Sequence, residues 1–161
     1  MDSAENATVL ARIEEPWSPL HSAITSLNAA ALESATNAGW TAKESVAHLA
    51  FWDEAAYGFM LLTYFDEPLP DGWTFGSGWL PGEEPWPHFE VHNAREAAWA
   101  RSQPVGAVLE RLERAHAQLL GILPRLTPEL IREKRDHLNE VSQHYVNHLP
   151  EFETLARTKP A

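Results

Sequence analysis

Apolar residues recur along this chain every three or four positions, the repeat of an α-helix with one buried face. Val9, Leu10 and Ile13 begin such a stripe from about Ala7, and Leu20, Ile24 and Leu27 continue it. Pro16 and Pro19 interrupt the pattern. Either the helix kinks there, or Ser18 caps a new start with Pro19 at the first helical position. Glu33 to Gly39 reads as a connection. Thr41-Ala42-Lys43-Glu44 has the form of a capping box, with Thr41 as N-cap, Glu44 reaching back and Trp40 placed as a hydrophobic staple. The stripe that follows is Ser45, His48, Leu49, Trp52, Ala56, Phe59, Met60 and Thr63, which puts His48 on the buried side of a second helix.

Periodicity stops from about Asp66 to Pro87, where prolines and glycines alternate with Trp73, Phe75, Trp79 and Trp86. A connection this long inside a domain is usually functional or disordered, and four aromatic residues favour a packed loop, placed to cover the mouth of a site. A third helical segment runs from about His88 to Ala100, breaks or kinks at Gln103-Pro104, and resumes through Val105, Val108, Leu109, Leu112, Leu119 and Leu120 to Pro124. Thr127-Pro128-Glu129 reads as an N-cap with proline at the first helical position. The last helix spans about Asp136 to Leu155, with a stripe of Leu138, Val141, Tyr145, His148, Phe152 and Leu155 and with His144 one step around. Pro150 leaves the carbonyl of Val146 without its donor, so a kink is expected just after His148. Four main helices without a convincing strand predict an all-α fold, a four-helix bundle with a long irregular loop between the second and third helices.

At 161 residues, 44% hydrophobic and 22% charged, the chain has the size and balance of one globular domain spanning 1–161. The net charge of −11 repels phosphate backbones and anionic membrane surfaces, so neither nucleic acid nor membrane is an expected partner. No cysteine is present. Disulfides and thiolate ligands are thereby excluded, and any metal must be held by His, Asp, Glu or carbonyl oxygen. The first residues have neither the basic nor the apolar region of a secretory signal, and no apolar run reaches membrane-spanning length, which makes the cytosol the expected compartment.

The histidines carry the chemistry. His144 and His148 are four apart, so a helix sets their rings on one face with Cα atoms roughly 6 Å apart. Two imidazoles so placed can close on one ion. His48, on another buried stripe, would complete a three-nitrogen set and leave open coordination positions, the mark of a catalytic metal site. The plain alternative is that each ring fills space and bonds a neighbour, but two unsatisfied imidazoles on a core stripe are costly. His137, seven residues before His144, is a substitute ligand, a supporting group or a cap-region residue. His21, His88, His92 and His116 read as surface or pocket residues. Glu44 and Glu140, each one turn before a histidine, could orient a ligating ring. Asp53, Glu54 and the remaining glutamates read as solvated.

The segment Gly39 to Glu54, G-W-T-A-K-E-S-V-A-H-L-A-F-W-D-E, closely resembles the second-helix motif of the DinB/YfiT-like metalloenzyme superfamily. His144-Tyr145-Val146-Asn147-His148-Leu149-Pro150 is similar to the H-Y-x-x-H motif of its last core helix. Within the superfamily, the His137–Leu155 region is similar to the ClbS-like branch. The resemblance implies a four-helix bundle binding a divalent metal through one histidine of the second helix and two of the last, which by position are His48, His144 and His148. It also implies thiol-dependent S-transferases and isomerases among the relatives, and a homodimer. The expected function is a metal-dependent enzyme that activates water or an external low-molecular-weight thiol against a small electrophilic substrate. Zinc or nickel is the leading ion, and an all-histidine site also accepts cobalt or iron. The alternatives are a protein that sequesters a small molecule, with the metal structural or absent, and a purely structural domain. No residue is assigned as catalytic acid or base.

Overall fold

A computed structural model describes residues 2–36, 39–71 and 89–158. Among them the chain is all helix, with one isolated bridge between Ala35 and Thr41 in place of any strand. Seven helices follow in order: α1 (Asp2–Thr25), α2 (Ala29–Leu32), α3 (Ala42–Tyr64), α4 (Phe89–Ser102), α5 (Val105–Ile122), α6 (Pro128–Glu133) and α7 (Arg135–Thr158), with a single 3-10 turn at Leu123–Arg125 before α6. Among the described residues no helix is long and apolar enough to cross a membrane. The residues expected to form the packed loop, from Gly72 to Pro87 with its four aromatics, lie outside those described, as does His88. The third helical segment is two helices, α4 and α5, separated where Gln103-Pro104 denies the chain a donor.

The chain divides into two compact units, one of Met1–Ala42 with Ile122–Ala161, the other of Lys43–Gly121. In the first, α1 lies along α7. Ile13, Trp17, Leu20 and Ile24 recur at helical spacing on α1 and are buried, as are Leu138, Val141, Tyr145, Phe152 and Leu155 on α7. Trp17 meets Tyr145 edge to face at 5.5 Å. The expected interruption of α1 does not occur: the helix starts at Asp2, ahead of Ala7, and both Pro16 and Pro19 lie inside it. The carbonyls they deprive belong to Arg12 and Glu15, which are exposed residues off the buried stripe, so water can serve them while the core holds the helix together. α7 likewise runs on through Pro150. The Thr127 hydroxyl accepts from the Leu130 amide at 3.3 Å, with Pro128 opening α6 as expected. Gly39, at φ 85°, takes the left-handed turn that returns the chain toward Thr41.

In the second unit, α3 begins at Ala42, directly after the expected N-cap. Every residue from Ala42 to Phe51 is buried, so this first part of α3 is enclosed on all sides rather than along one stripe. Toward its end the expected stripe fails: Phe59 is 36% exposed and Thr63 is also exposed, while Leu61 and Tyr64 turn inward. α4 runs antiparallel to α3. Asn93 meets the His48–Trp52 turn, Arg101 donates to Glu44 at 2.5 Å, and the Lys43 ammonium donates to the Gln103 carbonyl at 3.0 Å. That ammonium lies where the dipole of α4 favours positive charge.

Candidate metal centre

α7 presents His144 and His148 at the margin of its buried stripe. Tyr145 points into the core, fully buried, and His144 and His148 on either side of it are half-buried. Their rings stand edge-on, with centroids 4.7 Å apart and planes at 88°. His148 Nδ1 lies 2.7 Å from Glu151 Oε1, one turn further along. An ionised carboxylate only accepts, so Nδ1 carries the hydrogen and Nε2 keeps the lone pair a metal requires. The Glu151 side chain is itself largely buried, which strengthens that bond.

His48 is supplied by the enclosed part of α3 and is 8% exposed. Its Nδ1 lies 3.0 Å from Asn93 Oδ1 on α4. The Trp52 indole N–H donates to the same oxygen at 3.0 Å, and the Trp52 ring meets His48 edge to face at 6.3 Å. His48, His144 and His148 form a group that could hold a metal ion: one ring nitrogen from each lies within 4.8 Å of the others. The His48 and His148 rings each have a hydrogen-bond partner at Nδ1, as metal-ligating histidines usually do. With no cysteine present, the donor set is all imidazole, which suits divalent ions of intermediate softness.

The groups that meet these rings differ from those expected. Glu44 accepts from Arg101, and Glu140 is exposed; Glu151 and Asn93 stand against Nδ1 of His148 and His48. Glu151 was within reach of sequence reasoning, since a carboxylate three residues after a helical histidine shares its face. Asn93 was not, because it meets His48 only through the pairing of α3 with α4. His137 is half-buried outside the group of three, and burial, with Lys134 nearby, lowers its pKa to about 4. His21 stacks on Trp17 at 5.3 Å.

Burial corrects the reading of Asp53 and Glu54 as solvated, and of the surface or pocket placement expected for His92 and His116 it removes the surface. His92 is buried and stacks on Phe51 at 5.6 Å. His116 is buried with Nδ1 3.4 Å from Asp53 Oδ2, and Asp53 is only 2% exposed. Arg111 on α5 grips both oxygens of Glu54, through Nε at 2.9 Å and Nη2 at 2.8 Å, and donates from Nη1 to Glu96 at 2.5 Å. Its guanidinium lies 4.5 Å from the centre of the Trp99 ring. Glu96 is 1% exposed, and its Oε1 has no hydrogen-bond partner. Burial pushes its carboxyl up from the usual range, against the lowering effect of Arg111. These charges were illegible because Asp53 and Glu54 follow a stripe that, on a one-sided helix, would leave them in water.

Residues 8–152 match the family model described as the DinB superfamily. Comparison with curated proteins and with solved structures gave no match. The helical fold and the extent of the family match agree, and the chain belongs to the DinB superfamily.

Proposed function

We propose that this protein is a metal-dependent enzyme in which His48, His144 and His148 bind one divalent ion, zinc or nickel foremost, and act on a small electrophilic substrate. The observation that carries the reading is the approach of three ring nitrogens to within 4.8 Å of one another, one from α3 and two from α7. Membership of the DinB superfamily supports it. A divalent ion with three neutral ligands and open positions supplies Lewis acidity, lowering the pKa of water or of a thiol that reaches it. The chain's own part is to keep the donors neutral and oriented. Glu151 holds the His148 ring through Nδ1, and Asn93 stands against Nδ1 of His48. The chain contains no thiol, so a transferase reaction would need one from outside, whereas hydrolysis would need only water. A homodimer belongs to the same proposal.

The test is metal content of untagged protein prepared without chelator, beside the His144→Ala/His148→Ala double variant. About one equivalent of one metal in the parent and none in the variant is expected. Thiol-transfer and hydrolysis substrates would then be screened with that ion. A parent that carries no metal and shows no thermal shift with zinc or nickel would overturn the reading in favour of a binding module.

A further inference from the structure

We propose that Asn93 is a positioning residue that sets the tautomer of His48, so that Nε2 is the nitrogen His48 offers, and that Trp52 in turn sets the orientation of Asn93. The bearing of this on an ion rests on the metal-centre reading; the tautomer itself does not.

The argument is one of donors and acceptors. The two ends of an asparagine amide have nearly the same shape, and its neighbours decide which end is which. Here the deciding neighbour is the Trp52 indole, which can only donate, so the atom 3.0 Å from it is the amide oxygen. That oxygen also lies 3.0 Å from His48 Nδ1. A carbonyl oxygen only accepts, so Nδ1 must bear the hydrogen, and in a neutral imidazole Nε2 then carries the lone pair. Both lone pairs of the amide oxygen are used, one by each donor. Glu151 orients His148 with a negative charge, while Asn93 does the same for His48 without adding one.

Asn93 can do this only if α4 is held in register against α3. One turn along α4, Glu96 is tied to Arg111, whose other donors grip Glu54, two residues after Trp52 on α3. The end of α4 is fastened by the pairs Arg101–Glu44 and Lys43–Gln103. On α3 the fastened residues, Lys43 and Glu44 before and Glu54 after, flank the His48–Trp52 turn, and on α4 the nearer fastened residue is one turn beyond Asn93, which fixes the register that a group orienting a ligand needs.

The experiment is nitrogen-15 NMR of the imidazole rings in metal-free protein, at a pH where histidine is neutral, followed by zinc titration. The parent should show His48 with its hydrogen on Nδ1. Asn93→Leu should shift His48 toward the other tautomer and weaken zinc binding roughly 10–100-fold. Asn93→Asp keeps an acceptor at the same place and should restore the Nδ1–H tautomer. Trp52→Phe should reduce the Nδ1–H population with Asn93 still present, because nothing then prevents the amide from turning its NH2 toward His48. A parent His48 protonated on Nε2 would overturn the proposal, and that reading needs no variant to fold. An Nδ1–H tautomer that persists in Asn93→Leu, or zinc affinity unchanged there, would overturn it too. Failure of the parent to bind zinc would instead overturn the metal reading, and the tautomer measurement would still decide the role of Asn93.

Discussion

The margin of α7 and the core between α3, α4 and α5 both concentrate ionisable side chains, and they do so for opposite reasons. Around Arg111, the countercharge is a residue of the chain: one guanidinium grips Glu54 with two donors and Glu96 with a third, over the face of Trp99. On α7, His144 and His148 stand edge-on and half-buried, and the hydrogen bond from His148 to Glu151 leaves its Nε2 lone pair directed elsewhere. The first arrangement answers its carboxylates with a cation of the chain, though Glu96 Oε1 is left without a hydrogen bond, whereas the second gathers electron pairs that a cation would satisfy. Burial alone therefore does not mark a functional site. What separates the two regions is whether the countercharge is a residue of the chain.

That contrast is open to attack in order of expected effect. Arg111→Met removes the internal countercharge and strands two buried carboxylates, so it should destabilise the protein by about 3–5 kcal/mol in urea unfolding near neutral pH. A loss below about 1 kcal/mol would mean that the core does not depend on the internal pairing. For the α7 histidines the stabilising partner should come from outside. Zinc at a hundredfold excess over its Kd should raise the stability of the parent by about 2.7 kcal/mol, and the His144→Ala/His148→Ala variant should show no such rise. Next, Glu151→Gln should weaken zinc binding roughly 10–100-fold with little change in the stability of the metal-free protein, as read by calorimetric titration beside thermal melting. Unchanged affinity would reduce Glu151 to a surface partner.

The smallest effects are those of pH, and they have opposite sign in the two regions. Glu96 has a raised folded pKa, so its contribution is fully present below the unfolded value of 4.5 and is lost as pH rises through the folded one. Glu96→Gln should flatten the fall in melting temperature on that alkaline side. His137 has a folded pKa lowered from 6.5 to about 4, so it disfavours the fold progressively as pH drops through that window. His137→Gln should flatten the acid limb and leave the region above it unchanged. Identical pH profiles for parent and Glu96→Gln would show that the bare Glu96 oxygen is solvated rather than buried.

Much of the helical layout was legible because amphipathic periodicity, the Thr127–Pro128 start and the Gln103-Pro104 break are local signals. Where one surface is enclosed on every side the same logic loses its power: α3 buries Asp53 and Glu54 as fully as its apolar residues, and no stripe announces it. The prolines of α1 misled for a related reason, since a local rule about donors was outweighed by a buried stripe running past both of them. Of the candidate site, the His144–His148 pair could be seen from spacing on one helix, and Glu151 could have been. Asn93 and the Arg111 triad could not, because each joins residues more than a dozen positions apart.

By itself, then, the sequence determined the helical class, the lack of any cysteine ligand or nucleophile and the one-face placement of two histidines. All three follow from residue identity and the 3.6-residue turn, which need no knowledge of what lies opposite. Only the tertiary structure decided which polar groups are satisfied from within and which groups stand against Nδ1 of His48 and His148. Hydrogen bonds and ion pairs between helices depend on register and burial, and those are set by the packing of the chain as a whole.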